Sequence, residues 1–260
     1  MLERHEAKYV IPPEMVGPIR DYLRPFCSPD PHGQGDPPHY TVITLQLDGP
    51  GLPLHYATQN QMDNRFKLRV RTYAQPDSPI FLEVKRKHGL IVAKSRAVIP
   101  AAAWSRDLVY STHVSLPFAK AKDYEGFLTF VRLARELQAE PVVRIRYERE
   151  SYFGNNEPYA RVSFDRRLEY QPAADWDVRG TDGRWIPMDT GLVQNKLYPW
   201  SGVVLELKTF NDAPRWMVDL TQEFDLVRDG HCKYSNAVLN EAIFRGSPQT
   251  PPYETVLQDY

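Results

Sequence analysis

Along several stretches of this chain, polar and apolar positions alternate one for one. Arg65, Lys67, Arg69 and Arg71 are interleaved with Phe66, Leu68 and Val70; Glu83, Lys85 and Lys87 flank Val84; Lys94 and Arg96 lead into Ala97; Glu206 and Lys208 flank Leu207. A period of two is the period of a β-strand, so each charged set falls on one strand face and the apolar set packs on the other. The pattern predicts strands over 65–73, 80–87 and 90–99. The turn signals Gln75 to Pro79 and His88-Gly89 are short, which makes these strands antiparallel neighbours.

The same reading predicts a first strand over 5–11 and one over 40–48, with Thr41, Ile43, Leu45 and Leu47 on one face. Further strands are expected over 142–153, 159–168 and 203–209, with a short one near 194–197. Pro12-Pro13 opens a helix to about Leu23, proline being tolerated in a first turn. Helices are also expected over 101–110, 124–137, 215–227 and 236–244. In the second of these Phe127, Phe130, Ala134 and Leu137 recur at helical spacing, a core stripe. Residues 28–38 read as an exposed loop, 1–246 as a single domain and 247–260 as a loose tail.

Neighbouring cations on one strand face lie roughly 7 Å apart and repel by about 2.4 kcal/mol at an effective dielectric near 20, against about 0.6 in water. A solvated sheet tolerates that, and for a single strand a half-exposed sheet is the economical reading. Four such strands are a different matter. The chain has 32 basic and 33 acidic residues, so its cations have been sorted onto strands and not supplied in excess. Sorted charge implies a polyanionic ligand, and a closed or tunnel-like sheet would make the attraction strongest by excluding water.

A formal charge of −1 and a pI near 6.7 argue against a nucleic-acid coat, which is basic throughout. Two cysteines, Cys27 and Cys232, are too few for a disulfide scaffold and imply a reducing compartment, although a single bridge between them stays open. The first residues form no apolar targeting segment and no run of about 18 apolar residues occurs, so a soluble cytoplasmic protein without direct membrane insertion is expected. There is no Walker A loop, HExxH or GxGxxG motif. Any chemistry has to come from the strand residues.

Those residues carry a resemblance. Arg4-His-Glu6-Ala-Lys8-Tyr9, then Arg69-x-Arg71-x-Tyr73, Phe81-Leu-Glu83-Val-Lys85 and Lys94-Ser-Arg96 are followed by Tyr147-Glu-Arg149, Arg161 with Asp165, Glu206-Leu-Lys208 and Lys233-Tyr234. In this order, over roughly residues 3 to 240, the chain resembles the VTC-type polyphosphate polymerase domain, a branch of the CYTH-like triphosphate tunnel metalloenzymes. The resemblance implies an α+β fold, an antiparallel β-tunnel with helices packed outside. It implies synthesis of polyphosphate from the γ-phosphate of ATP with Mn²⁺ or Mg²⁺. Carried over by position, Arg69, Arg71, Lys85, Lys94, Arg149 and Arg161 are the catalytic cations, while Lys8, Lys67, Lys87, Arg96, Tyr147, Lys208 and Lys233 bind substrate. Glu206 is the principal metal carboxylate, with Glu6 and Glu83 as further candidates.

The chemistry agrees: phosphoryl transfer needs charged oxygens neutralised and held in line, arginine grips phosphate bidentately, and lysine acts as a mobile point charge. Duller readings stand beside these. Glu6 and Glu83 serve equally well as ion-pair partners of Lys8, Lys85 or neighbouring cations. Tyr147 is a phosphate contact or a packed strand tyrosine; Asp165 pairs with Arg161 or a neighbour; Arg144 and Arg146 alternate out of phase with Arg149 and face away. Arg4 stands where tunnel enzymes usually open with an acid, a change that VTC-type domains share. Cys232 stands where a hydroxyl residue is usual, and a thiol donates hydrogen bonds weakly.

The same electrostatics would serve a triphosphatase, with water as the nucleophile, or a non-catalytic polyphosphate-binding module, although pure anion binding has no need of Glu206. No SPX-like domain or membrane segment is read in the chain. A membrane-protein partner and the oligomeric state stay open.

Overall fold

The computed structural model describes residues 5–89, 91–111, 118, 120–180, 183–189, 202–210 and 212–245. Ten strands form one sheet: β1 (His5–Ile11), β2 (Cys27–Pro29), β3 (His39–Asp48), β4 (Asn64–Tyr73), β5 (Ile80–His88), β6 (Ile91–Ile99), β7 (Glu140–Gly154), β8 (Arg161–Pro172), β9 (Ile186–Pro187) and β10 (Val203–Thr209). The order is β1-β10-β8-β7-β3-β4-β5-β6, with β2 on β7 and β9 on β8. Every pairing is antiparallel. The helices are α1 (Val16–Leu23), α2 (Pro53–Gln59), α3 (Arg106–Tyr110), α4 (Ala121–Glu136), α5 (Arg215–Glu223) and α6 (Lys233–Arg245). The expected strand near 194–197 and the tail 247–260 lie outside the described residues.

The alternation read from the sequence becomes two different surfaces. Leu68 and Val70 of β4, Leu82 and Val84 of β5, and Ala97 and Ile99 of β6 pack outward against Phe127, Phe130, Val131 and Ala134 of α4 and Leu108 and Val109 of α3. On the other half Tyr9, Ile11, Val162, Phe164, Leu205 and Leu207 pack outward against Val16, Ile19 and Leu23 of α1 and Trp216, Met217 and Leu220 of α5. These helices bury the stripe that recurs every three or four residues. Gly126 lets α4 come close, because a Cβ there would sit 2.2 Å from the Arg96 carbonyl oxygen. α1 is also pinned by charge. Fully buried Glu150 on β7 accepts Arg20 Nε at 2.6 Å and Nη2 at 3.0 Å, the Tyr152 hydroxyl at 2.6 Å and Arg166 Nη2 at 2.5 Å.

Not every helix lies outside. Tyr234, Ala237 and Val238 of α6 share one core cluster with Val143, Ile145, Tyr170 and Val204, whose side chains are on the inner face. α6 therefore crosses the interior at one end. α2, which the sequence reading left unassigned, leans on it there through Asp48, which accepts the Leu54 and His55 amides and the Tyr234 hydroxyl at 3.0, 2.9 and 2.7 Å.

Candidate active site: the inner face of the sheet

Directly paired antiparallel residues share a face, so the register sorts the charges into rows. Gln46, Arg69, Glu83 and Arg96 form one row across β3 to β6, and Lys67, Lys85 and Lys94 another. On the opposite half Arg149 faces Asp165, Ser163 faces Glu206, which faces Lys8, and Arg161 faces Lys208, which faces Glu6. The two halves meet because the sheet curls. Lys85 Nζ on β5 reaches Glu6 Oε2 on β1 at 2.9 Å, although five strands separate β1 from β5 in the sheet order. No ladder joins β1 to β6 among the described residues; side chains close the ring.

Four carboxylates stand among these cations. Glu206, 4 % exposed, accepts Lys208 at 2.6 Å and Arg149 at 3.3 Å, with Lys8 and Lys233 each at 3.6 Å. Asp165 accepts Arg149 through both oxygens at 2.6 and 2.7 Å and Lys233 at 2.6 Å. Its partners are thus Arg149 and Lys233, not Arg161 on its own strand. Glu83, wholly buried, is enclosed by Arg69 Nε at 2.6 Å, Arg71 at 3.2 Å and Lys94. Glu6 sits between Lys85 and Lys8.

Burial alone would raise all four carboxyls, yet each is held below the usual range: Lys85 does this most for Glu6, Arg69 and Arg71 for Glu83, Arg149 and Lys233 for Asp165, and Lys208 with Lys233 for Glu206. All four are anions at neutral pH.

The segment before α6 ties the end of the site. The His231 carbonyl accepts Lys8 at 3.0 Å, and Lys67 Nζ lies 2.7 Å from Cys232 Sγ. Burial opposes ionisation of that thiol, but Lys67 and the Ser235 contacts bring its pKa down to about 6. Cys232 is therefore an acceptor at neutral pH, where the sequence suggested a weakly donating thiol. Both cysteines are free: Cys27 is buried in the outer core. Tyr147, 4 % exposed, holds Arg149 and Lys233 over its ring at 5.3 and 4.8 Å, as a packed tyrosine would. Arg144 and Arg146 face away, bound to Asp175 and Glu169.

Sequence reasoning missed Ser163, whose buried hydroxyl has no hydrogen-bond partner among the described residues and lies on the strand position facing Glu206. Its two-residue spacing from Arg161 and Asp165 was the available signal.

Among the described residues no group of three or more histidine, cysteine or acidic side chains could hold a metal. The donor chemistry nevertheless fits a hard divalent ion. Glu6 Oε1 and Glu206 Oε1 both face the Lys8 ammonium, at 3.7 and 3.6 Å, so two carboxylates already share one cation. One or two carboxylates completed by phosphate oxygens is the usual protein share of a Mg²⁺ or Mn²⁺ shell. Glu83 stands apart from this pair, its oxygens taken up by Arg69, Arg71 and Lys94.

Two lysines are poised to respond to anions. Burial, with Lys8 alongside, lowers Lys85 to about 8 in spite of Glu6; burial, with Arg69 and Arg71 alongside, lowers Lys94 to about 7 in spite of Glu83. Bound phosphate favours their charged forms, so binding is expected to take up protons near pH 7 to 8, and affinity for tripolyphosphate to fall as pH rises through that window. Calorimetry in buffers of different ionisation enthalpy reads both effects; equal affinity at about pH 6 and about pH 9 would remove the two lysines from the anion site. Without ligand the sign reverses. These lysines titrate lower folded than unfolded, so their contribution to stability grows as pH rises from about 7 toward the unfolded lysine value near 10.5.

A curled antiparallel sheet whose inner face stacks cations around a few buried carboxylates defines an α+β protein with a charged, tunnel-like interior. The chain matches the VTC domain family over residues 3–240 and belongs to that family. No curated protein matches it. Among solved structures it is similar to PH1819 from Pyrococcus horikoshii OT3, at 10 % identity over 92 % of this chain and 99 % of that one, with a TM-score of 0.42. It is also similar to HpAC1 from Hippeastrum, described as a putative adenylyl cyclase with a dominant triphosphatase activity, at 14 % identity over 95 % of this chain and 99 % of that one, with a TM-score of 0.46. Family membership supports a function in polyphosphate or triphosphate chemistry. No helix among the described residues is long and apolar enough to cross a membrane.

Proposed function

We propose that this protein is a metal-dependent polyphosphate polymerase that moves the γ-phosphoryl group of ATP onto the end of a phosphate chain. The observation that carries the reading is the pair Glu6 and Glu206 facing one cation inside rows of arginine and lysine. Glu83 and Asp165 orient arginines, but a surface built only to bind phosphate has no need of two further carboxylates converging on one lysine. Glu206 and Glu6 would hold Mn²⁺ or Mg²⁺, which when bound neutralises phosphate oxygens and orients them for in-line attack.

The remaining roles belong to side chains. Arg69, Arg71 and Arg149, already aimed inward by their ion pairs, bind the transferring phosphoryl oxygens bidentately. Lys85 and Lys94 neutralise charge as the bond to the leaving phosphate breaks, and Arg161, Lys67, Lys87, Lys208, Lys8 and Lys233 hold the rest of the chain. The attacking group is a terminal phosphate oxygen, which needs no proton removed. The phosphorus–oxygen bond to ADP breaks as the new phosphoanhydride forms. Tyr147 serves by positioning Arg149 and Lys233.

A second reading, triphosphate hydrolysis, is favoured by α6 lying across one end of the interior, because water needs no second entrance and a growing chain does. Incubation with ATP and Mn²⁺, with products resolved by ³¹P NMR, separates the two. Internal-chain phosphorus matched by ADP supports the polymerase; orthophosphate matched by ADP supports hydrolysis and overturns polymerisation. ATP left intact overturns the polymerase, and inorganic tripolyphosphate left intact under the same conditions overturns hydrolysis as well.

A further inference from the structure

The inner face changes character along the strands, away from the contact of Lys67 with Cys232. Along β4 it reads Lys67, which meets Cys232 just before α6, then Arg69, Arg71 and finally Tyr73. Along β5 it runs from Lys85 through Glu83 to Phe81. At that far end Tyr73 lies edge-on to Phe81 with centroids 5.8 Å apart, and Tyr40 of β3 lies edge-on to Tyr73 at 5.6 Å. All three rings are half-buried. Arg71 and Arg96 place their guanidinium carbons 4.9 and 5.5 Å from the Phe81 centroid.

Aromatic rings are a poor lining for inorganic phosphate, since a ring face is electron-rich and repels anionic oxygens. They are a good lining for a nucleobase, which stacks on aromatic side chains and on guanidinium planes alike. The spacing suits a molecule with both parts. From Lys85, which touches Glu6, to Phe81 is four residues of strand, about 13 Å along the chain. Strand tilt in a closed sheet shortens this to about 10 Å along the axis, enough for phosphates and a ribose between carboxylates and rings.

We propose that Tyr40, Tyr73 and Phe81, with Arg96, form a nucleobase-binding collar at the end of the inner face away from Lys67 and Cys232, so that a nucleoside triphosphate is held phosphate-inward and base-outward. The proposal rests on the phosphate-tunnel reading and adds the group that tells a nucleotide donor from an inorganic chain.

Calorimetric binding of three probes to the full chain tests it: ATP, methyl triphosphate, which has the triphosphate without base or ribose, and inorganic tripolyphosphate. The unaltered protein is expected to bind ATP at least about fivefold more tightly than methyl triphosphate, the lower end of one base stacked on aromatic side chains. In Tyr73→Leu and in Phe81→Leu, ATP affinity is expected to fall about tenfold while tripolyphosphate affinity stays within about threefold, which also reports that the variants are folded. Equal binding of ATP and methyl triphosphate by the unaltered protein overturns the collar whatever the variants do. So does a loss in the variants that is the same for ATP and tripolyphosphate. Tight tripolyphosphate binding with either of those results leaves the phosphate tunnel standing; failure to bind any of the three removes both.

Discussion

Replacing Glu206 with glutamine is expected to slow phosphoryl transfer by about 10² to 10³-fold, the cost usually seen when one preorganised electrostatic group is removed from a reacting centre. The substitution keeps volume and one acceptor oxygen while deleting the charge on which Lys208, Arg149, Lys8 and Lys233 converge. Two effects add. Glu6 is left as the lone carboxylate beside Lys8, weakening divalent-ion binding, and the cations lose their shared counter-charge and reorganise. The measurement is ADP release from ATP over a range of Mn²⁺ concentrations. A higher metal requirement accompanying the lower rate is the expected signature. A rate within about threefold of the parent at the same metal concentration would place the metal elsewhere.

The second large effect falls on stability. Glu83 has no exposure and is enclosed by Arg69, Arg71 and Lys94, so Glu83→Gln leaves the two arginines without their counter-charge, while Lys94, already lowered to about 7, gives up its proton. Breaking a buried ion pair from one side costs about 3 to 5 kcal/mol, which for a chain of this size lowers the melting temperature by about 10 °C. The cause is distinguishable from a packing defect. Tripolyphosphate supplies negative charge to the same cations, so it should raise the melting temperature of the variant more than that of the parent. An unchanged melting temperature would sink the claim that Glu83 anchors this row. In the parent protein Glu83 titrates below the usual carboxylate range, so its contribution is fully present at neutral pH and fades only as the solution becomes strongly acidic.

Much of this was legible because strand alternation is a local signal. The phase of Arg69, Arg71, Glu83, Lys85, Glu206 and Lys208 decided their common face before any tertiary contact was known, and the register bears that out. Position along the axis was not legible. Lys85 meeting Glu6 depends on how far each strand is staggered against the next around the whole curl, and no local pattern encodes that sum. The fate of Glu83 was open for the same reason, since three cations from β4 and β6 decide it.

α2 escaped notice because Gly49, Pro50, Gly51 and Pro53 read as breakers, and a buried Asp48 carboxylate rather than an apolar stripe secures its first turn. The inward place of α6 was hidden too, because Tyr234, Ala237 and Val238 form an apolar stripe that suits either side of a sheet. The collar aromatics were visible as strand residues, but their meeting required the pairing of β3, β4 and β5.

The charges of the inner face also bear on how molecules of this protein behave toward one another. β1 and β6 are the outer strands of the sheet and no ladder covers their far edges among the described residues. Exposed edges of this kind are templates on which a second chain can add a strand and begin aggregation. Here β1 points Glu6 and Lys8 inward and β6 points Lys94 and Arg96 inward, so an incoming strand would have to bury these charges without the partners they have across the curl. The residues proposed to hold phosphate thus also discourage edge-to-edge association, and a variant stripped of them is expected to lose solubility.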